Sequence, residues 1–226
     1  MNATSDPALV ATRRSLHVLA EHLLAADRYR HAGRLGLRPV PGGFGTPPYE
    51  AEGATRRLEV TRDGLVVHRG ERTQVHQVVS LGQLGADAGL EIGGPADVYE
   101  LTTPCDLDAP LPFSPDAVDH LAAFLSAVDE GLRRFAHRHL DEQPTEAQLW
   151  PEHFDLAISM REVNYGGCLG DDEIALPYLY VSPWSRRSGP YWTRPWGAGE
   201  AWRAGQDVAS YFESGWTAAG ADRTPS

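Results

Sequence analysis

The 226-residue chain is 42% hydrophobic and 23% charged, an ordinary globular composition with enough apolar material for a sizeable core. Its net charge is −11, all 20 basic residues are Arg and none is Lys; this argues against a nucleic-acid backbone as partner and removes Schiff-base and P-loop lysine chemistry. No apolar run approaches the roughly 20 residues needed to cross a bilayer, and MNATSDPALVATRRS holds no apolar signal core, so the expectation is a cytoplasmic protein without a membrane partner.

Residues 8 to 27 read as a helix. Leu9, Leu16, Leu19 and Leu23 fall on one stripe, and Asp6-Pro7 supplies a cap followed by proline at the first helical position. GRLGLRP (33 to 39) reads as a short strand, while the prolines and glycines of PGGFGTPP (41 to 48) exclude regular structure. RLEV (57 to 60) and LVVH (65 to 68) flank a T-R-D-G turn and predict a hairpin. A weaker helix is expected over 74 to 88 and a short strand at Asp97–Leu101.

Ser114-Pro115-Asp116 is a strong helix start: a cap, a proline, then an acid at the positive end of the dipole. Val118, Leu121, Leu125, Val128, Leu132 and Phe135 follow at alternating spacings of three and four. Three heptads suit packing against a sheet better than a coiled coil. Phe154 to Met160 then reads as a strand, NYGGCLGDDE (164 to 173) as a glycine-rich loop, PYLYVSPW (177 to 184) as a strand and 207 to 219 as a terminal helix. The expected fold is α+β: one domain over 1–226, with an antiparallel or mixed sheet and long helices packed on one face. Halves of about 8–113 and 114–219 share a coarse helix–strands–helix order, a candidate weak internal pseudo-repeat.

LWPEHFDLAISM (149 to 160) carries the candidate centre. In an extended strand side chains alternate, so His153 and Asp155 would share a face with Cα atoms roughly 6.5–7 Å apart. A carboxylate beside an imidazole fixes its tautomer and favours its charged form, which suits acid–base work. Glu152 joins them as a third catalytic candidate if Pro151 bends the chain. His153, Asp155, Asp171 and Asp172 are the candidate ligands of a divalent metal ion, the only cofactor suggested, although the spacing does not match a calcium loop. Nine acids against one Arg lie between 141 and 182, so a ligand there should be cationic or metal-accompanied. The plain alternative is that these polar residues bond to nearby backbone.

All six Trp lie at or after position 150. Trp150, Tyr165, Tyr178, Tyr180, Trp184 and Trp192 are the candidate lining of an aromatic ligand pocket, with arginines beside the later ones. The long segment around them could equally be a loop pinned over the sheet by its rings. His17 and Glu21 share a helix face at i, i+4, but the inverted zinc motif fails by one residue, and an exposed local pair is expected. No phosphate loop, dinucleotide fingerprint or G-x-S-x-G elbow is present. Cys105 and Cys168 match no ligand spacing and read as free thiols; Cys168 with His153 as base is a weaker nucleophile option.

LHVLAEHLL, GRLGLRPVPGGFGTP, QLWPEHFDLAI, GDDE and PYLYVSPW together resemble an uncharacterised actinobacterial single-domain family and, more distantly, the family DUF5996. The resemblance spans nearly the whole chain; LWPEHFD with PYLYVSPW behind it is its most specific part. It implies an architecture and no reaction. That group tends to carry Pro-Glu before PYLYV, where this chain has Ala175-Leu176, so one carboxylate of a shared site would be missing here. Two functions are therefore expected: a small-molecule enzyme of hydrolase or lyase type using acid–base or metal-assisted chemistry at His153/Asp155, or a non-catalytic protein binding a small ligand in a Trp/Tyr-lined pocket. Neither specifies an oligomeric state.

Overall fold

A computed structural model describes residues 6 to 221 as helices and two antiparallel sheets, an α+β fold. Backbone contacts divide the chain into two compact units, Met1–Ala123 with Leu149–Phe154, and Phe124–Gln148 with Asp155–Ser226. The two sheets share no strand order, and an internal repeat gains no support.

The first unit opens with α1 (Pro7–Leu19), a wider π-helical turn (Ala20–Ala25) and α2 (Ala26–Ala32). The Asp6 carboxylate accepts the Ala8 N–H at 2.9 Å, and Gly33 ends the run at φ 62°. Leu9, Leu16, Leu19 and Leu23 are buried, as the stripe requires. The helical run therefore continues past the expected end at residue 27, with an irregular turn at its middle. Its sheet contains β1 (Arg38–Val40), β2 (Gly43–Gly45), β3 (Tyr49–Ala51), β4 (Ala54–Thr61), β5 (Gly64–Arg69) and β6 (Arg72–His76). The order is β1-β2-β4-β5-β6, with β3 also on β4. The expected hairpin is β4–β5: Thr61 faces Gly64, whose φ is 117°.

Two local expectations fail here and a third holds only in its second half. PGGFGTPP contains a strand, because glycine lets β2 approach β4: a Cβ on Gly43 would run into the Val60 carbonyl. The helix expected over 74 to 88 is β6 followed by α3 (Leu81–Ala88), which starts where Ser80 accepts the Gln83 N–H at 3.2 Å. Asp97–Leu101 is not a strand. Val98 N–H closes a turn onto the Pro95 carbonyl at 2.9 Å instead.

The helix α4 (Pro115–Arg138) runs from the first unit into the second. Ser114 Oγ accepts the Ala117 N–H at 3.4 Å, and all six residues of the stripe are buried. Burying each large apolar side chain contributes about 1.5–3 kcal/mol. β7 (Gln148–Trp150) is short; its Leu149 exchanges backbone hydrogen bonds with Leu37 of the first unit at 2.8 and 3.0 Å.

The second unit contains β8 (Asp155–Met160), β9 (Val163–Cys168), β10 (Tyr178–Pro183), β11 (Ala198–Ala201) and α5 (Val208–Ala221), with the strands in the order β11-β10-β9-β8. Leu156, Ile158, Met160, Leu179 and Val181 face the helices and are buried. Phe135 of α4 lies 4.7 Å from Tyr165 and 5.8 Å from Phe212 of α5, ring centre to ring centre. Gly167 and Gly131 make close packing possible: an added Cβ would meet Val128 and Phe124, or Val208. The stretch NYGGC, expected in a loop, forms most of β9. β8 and β9 join through Arg161 and Glu162, both left-handed at φ 49° and 61°, a hairpin turn built without the usual glycine or asparagine. No helix among the described residues is long and apolar enough to cross a membrane.

Candidate functional site

Glu152, His153 and Asp155 do not share a strand. Residues 151–154 form a turn, Phe154 sits at φ 48°, and extended structure begins only at Asp155. Phe154 is fully buried in the first unit, stacked on His17 at 5.0 Å and edge-on to Phe44 at 5.3 Å. That anchorage holds a backbone conformation costing about 1–2 kcal/mol in a non-glycine residue. The alternation argument for His153 and Asp155 therefore fails at the residue between them. His153 is exposed on the first unit, whereas Asp155 is buried in the second.

The four-residue metal set is not assembled. Among the described residues, no three His, Cys, Asp or Glu side chains are placed to hold a metal ion. Asp171 shapes its own loop: it accepts the N–H groups of Glu173 and Ile174 at 2.8 and 2.6 Å and the Tyr178 hydroxyl at 2.6 Å. Asp172 is exposed.

The outer face of the second unit's sheet gathers much of the expected aromatic lining. Strand register places Asp155, Cys168 and Tyr178 in one row across β8, β9 and β10. The next row is Ala157, Gly166, Tyr180 and Gly199. Tyr180 donates its hydroxyl to Asp155, and its ring covers Gly166, where a Cβ would stand 2.8 Å from the phenol. Trp196 covers Gly199 in the same way. Tyr178, Tyr180 and Trp196 surround one another with ring centres 6.2–6.5 Å apart. Glu173 accepts from the Trp196 indole at 3.4 Å and from Arg194 at 2.9 Å. Burial first, then the Asp155 carboxylate, holds the Tyr180 hydroxyl well above its ordinary pKa, so it remains a donor. Burial likewise pushes the Cys168 thiol up to about 12, with Asp155 adding to it. A thiol so strongly protonated does not fit the nucleophile option.

The other expected lining residues lie elsewhere. Tyr165 points to the opposite sheet face and is sealed against Phe135 and Phe212. Trp184 is 68% exposed and donates to Asn164 at 3.1 Å, at the far end of the outer face. Trp192 packs edge-on to Tyr191, and Trp150 is a partly exposed residue of the first unit. Trp196, absent from the expected lining, was visible only as one aromatic among several in the tail.

The first unit holds a second polar centre, at its π-helical turn. Such turns are rare and frequent at functional sites. Glu21 and His22 are both fully buried there, so the expectation of an exposed His17–Glu21 pair is overturned. Glu21 binds the 102–103 segment: one oxygen accepts the Thr102 N–H at 3.0 Å, the other the Thr103 N–H at 2.8 Å and its hydroxyl at 2.5 Å. His22 Nδ1 accepts the Gly94 N–H at 3.1 Å, which makes Nε2–H the donor to the Thr103 carbonyl at 2.9 Å. His17 Nε2 lies 2.8 Å from the Pro151 carbonyl, and Thr102 Oγ1 donates to the Glu152 carbonyl at 2.8 Å. Burial lowers the His17 pKa to about 4 against the opposing effect of Glu21. Glu152, expected to serve a strand-borne pair with Asp155, belongs instead to this neighbourhood of His17 and Thr102.

Comparison with protein-family models, with curated proteins and with solved structures finds no match. The resemblance carried by LWPEHFD and PYLYVSPW rests on those residues alone.

Proposed function

We propose that the protein binds a small organic cation on the outer face of the second unit's sheet. Tyr178, Tyr180 and Trp196 supply the aromatic wall, and Asp155 with Glu173 supplies the negative charge. The observation that supports this is the convergence of those three rings, Tyr180 lying over Gly166 and Trp196 over Gly199, beside the Asp155 and Glu173 carboxylates. A cation over an aromatic face gains about 0.5–2 kcal/mol, more as it is desolvated. Trp196 is the least buried of the three rings and is the one a ligand meets first. The net charge of −11 opposes any phosphate-bearing polymer as the natural partner. The alternative of acid–base catalysis by His153 and Asp155 has lost its geometric support, since no strand face carries both.

Titration with choline and with N-methylpyridinium tests the reading. A saturable change in tryptophan fluorescence is expected for the unaltered chain. Calorimetry should show binding at least tenfold weaker in Trp196→Leu and Asp155→Asn, with unchanged circular dichroism. An unresponsive chain, or undiminished binding in both variants, refutes the proposal.

A further inference from the structure

The outer face of the second unit's sheet continues past the three rings. Strand register sets Ser159 of β8, Asn164 of β9 and Ser182 of β10 in one further row, on the same face as Ala157, Gly166 and Tyr180. Two residues along a strand advance about 6.5–7 Å, which is the step from the Tyr180 row to this one. Ser182 Oγ donates to the Trp196 carbonyl at 2.9 Å, so the row lies against the backbone that carries the least buried of the rings. Ser159, Asn164, Ser182 and Trp196 are half-buried, and Trp184 is exposed.

Hydrogen bonds within the row orient the Asn164 amide. Its Oδ1 accepts from Ser159 Oγ at 2.7 Å and from the Trp184 indole at 3.1 Å. An indole N–H only donates, so a flipped amide would set donor against donor. Nδ2 therefore takes the other branch of the amide, and its two N–H groups meet no acceptor among the described residues. The row itself carries no charge, while the chain carries −11. A carboxylate would find donors here without a counter-charge, whereas a neutral carbonyl takes the same hydrogen bond without that repulsion.

We propose that the ligand of the aromatic face is an ammonium compound bearing a neutral carbonyl, an ester or an amide, whose oxygen accepts from Asn164 Nδ2 while its cationic end lies against Trp196. This rests on the cation reading and adds the ligand class to it. One row of spacing between ring and amide suits a cation and a carbonyl joined by roughly two to four atoms. Trp184 and Ser159 are positioning residues: they hold the amide oxygen and so turn the N–H groups toward the ligand.

Calorimetry of the full chain with acetylcholine and with pentyltrimethylammonium tests the assignment. The two cations match in chain length, and only the first carries a carbonyl. Asn164→Asp keeps an oxygen for Ser159 and Trp184 and replaces the N–H donors by an acceptor. In that variant the ratio of acetylcholine affinity to pentyltrimethylammonium affinity should fall by about fivefold or more, the worth of one hydrogen bond, while pentyltrimethylammonium itself binds no more weakly. Asn164→Ala should lower the ratio as well, and decides the matter if the Asp variant does not fold. An unchanged ratio in the variants overturns the carbonyl assignment and leaves the cation reading standing. Failure of both cations to bind the unaltered chain refutes the two together.

Discussion

Glu21→Gln is the most informative single substitution in the first unit. Glu21 is fully buried, and its two oxygens receive separate sets of donors, Thr102 on one side and Thr103 on the other. Glutamine keeps the shape but offers only one oxygen. Its NH2 must then face either the Thr102 N–H or the Thr103 N–H and hydroxyl, setting donor against donor. Hydrogen bonds to a charged acceptor are worth about 1.5–3 kcal/mol each, and at least two are lost or inverted, so the expected destabilisation is about 3–5 kcal/mol. For a chain of this size that is a fall of roughly 6–20 °C in the thermal midpoint. Amide hydrogen exchange supplies the local readout: Thr102 and Thr103 should lose protection before the β4–β5 hairpin does. A variant within 1 kcal/mol of the unaltered chain, with both amides still protected, would refute the claim that this carboxylate holds the segment.

Three further outcomes follow from the packing. His17 is neutral in the fold above about pH 4, whereas the unfolded chain protonates it below about pH 6.5. The unfolded state therefore binds the extra proton in that window, and stability falls as the pH falls from 6.5 toward 4, by about 2 kcal/mol at pH 5. Urea unfolding of the unaltered chain and of His17→Gln should show the gap between them shrinking by about 2 kcal/mol from pH 7.5 to pH 5, and a gap that does not change with pH would refute the neutral imidazole. Gly167→Ala would set a Cβ 2.6 Å from Val128 and 2.7 Å from Phe124, and should cost about 1–3 kcal/mol in chemical denaturation; an unchanged midpoint would disprove close packing of α4 on β9. Cys105 is exposed and Cys168 buried, with neither in a disulfide. A thiol reagent at pH 8 should modify one cysteine rapidly and the second only on unfolding, and rapid reaction of both would contradict the buried position of Cys168.

Much of the fold was legible in the sequence because local physics decided it. The α4 stripe repeats strictly over three heptads behind a cap and a proline, and no competing pattern exists for those residues. The T-R-D-G turn set the β4–β5 hairpin in the same way. Where local rules failed, a long-range contact had overridden them. PGGFGTPP carries every mark of a loop, yet its glycines allow a strand to lie against β4. Arg161 and Glu162 carry no hairpin signal, yet the register of β8 on β9 forces both into left-handed turn positions, which concealed β9.

The candidate sites divide along the same line. The chain by itself determined that the second half is aromatic and acidic and that Tyr178 and Tyr180 lie in a strand. Only the tertiary structure decided what those residues meet. The His153–Asp155 pairing assumed an extended backbone through Phe154, and the burial of that ring against His17 and Phe44 turned the backbone instead. Glu21 looked like a surface residue of an amphipathic helix, but a wider π-helical turn and a segment about 80 positions away enclosed it. Periodicity records which face of an element is apolar. It does not record which distant segment supplies the hydrogen bonds that make a buried carboxylate tolerable, and that information exists only once the chain has folded.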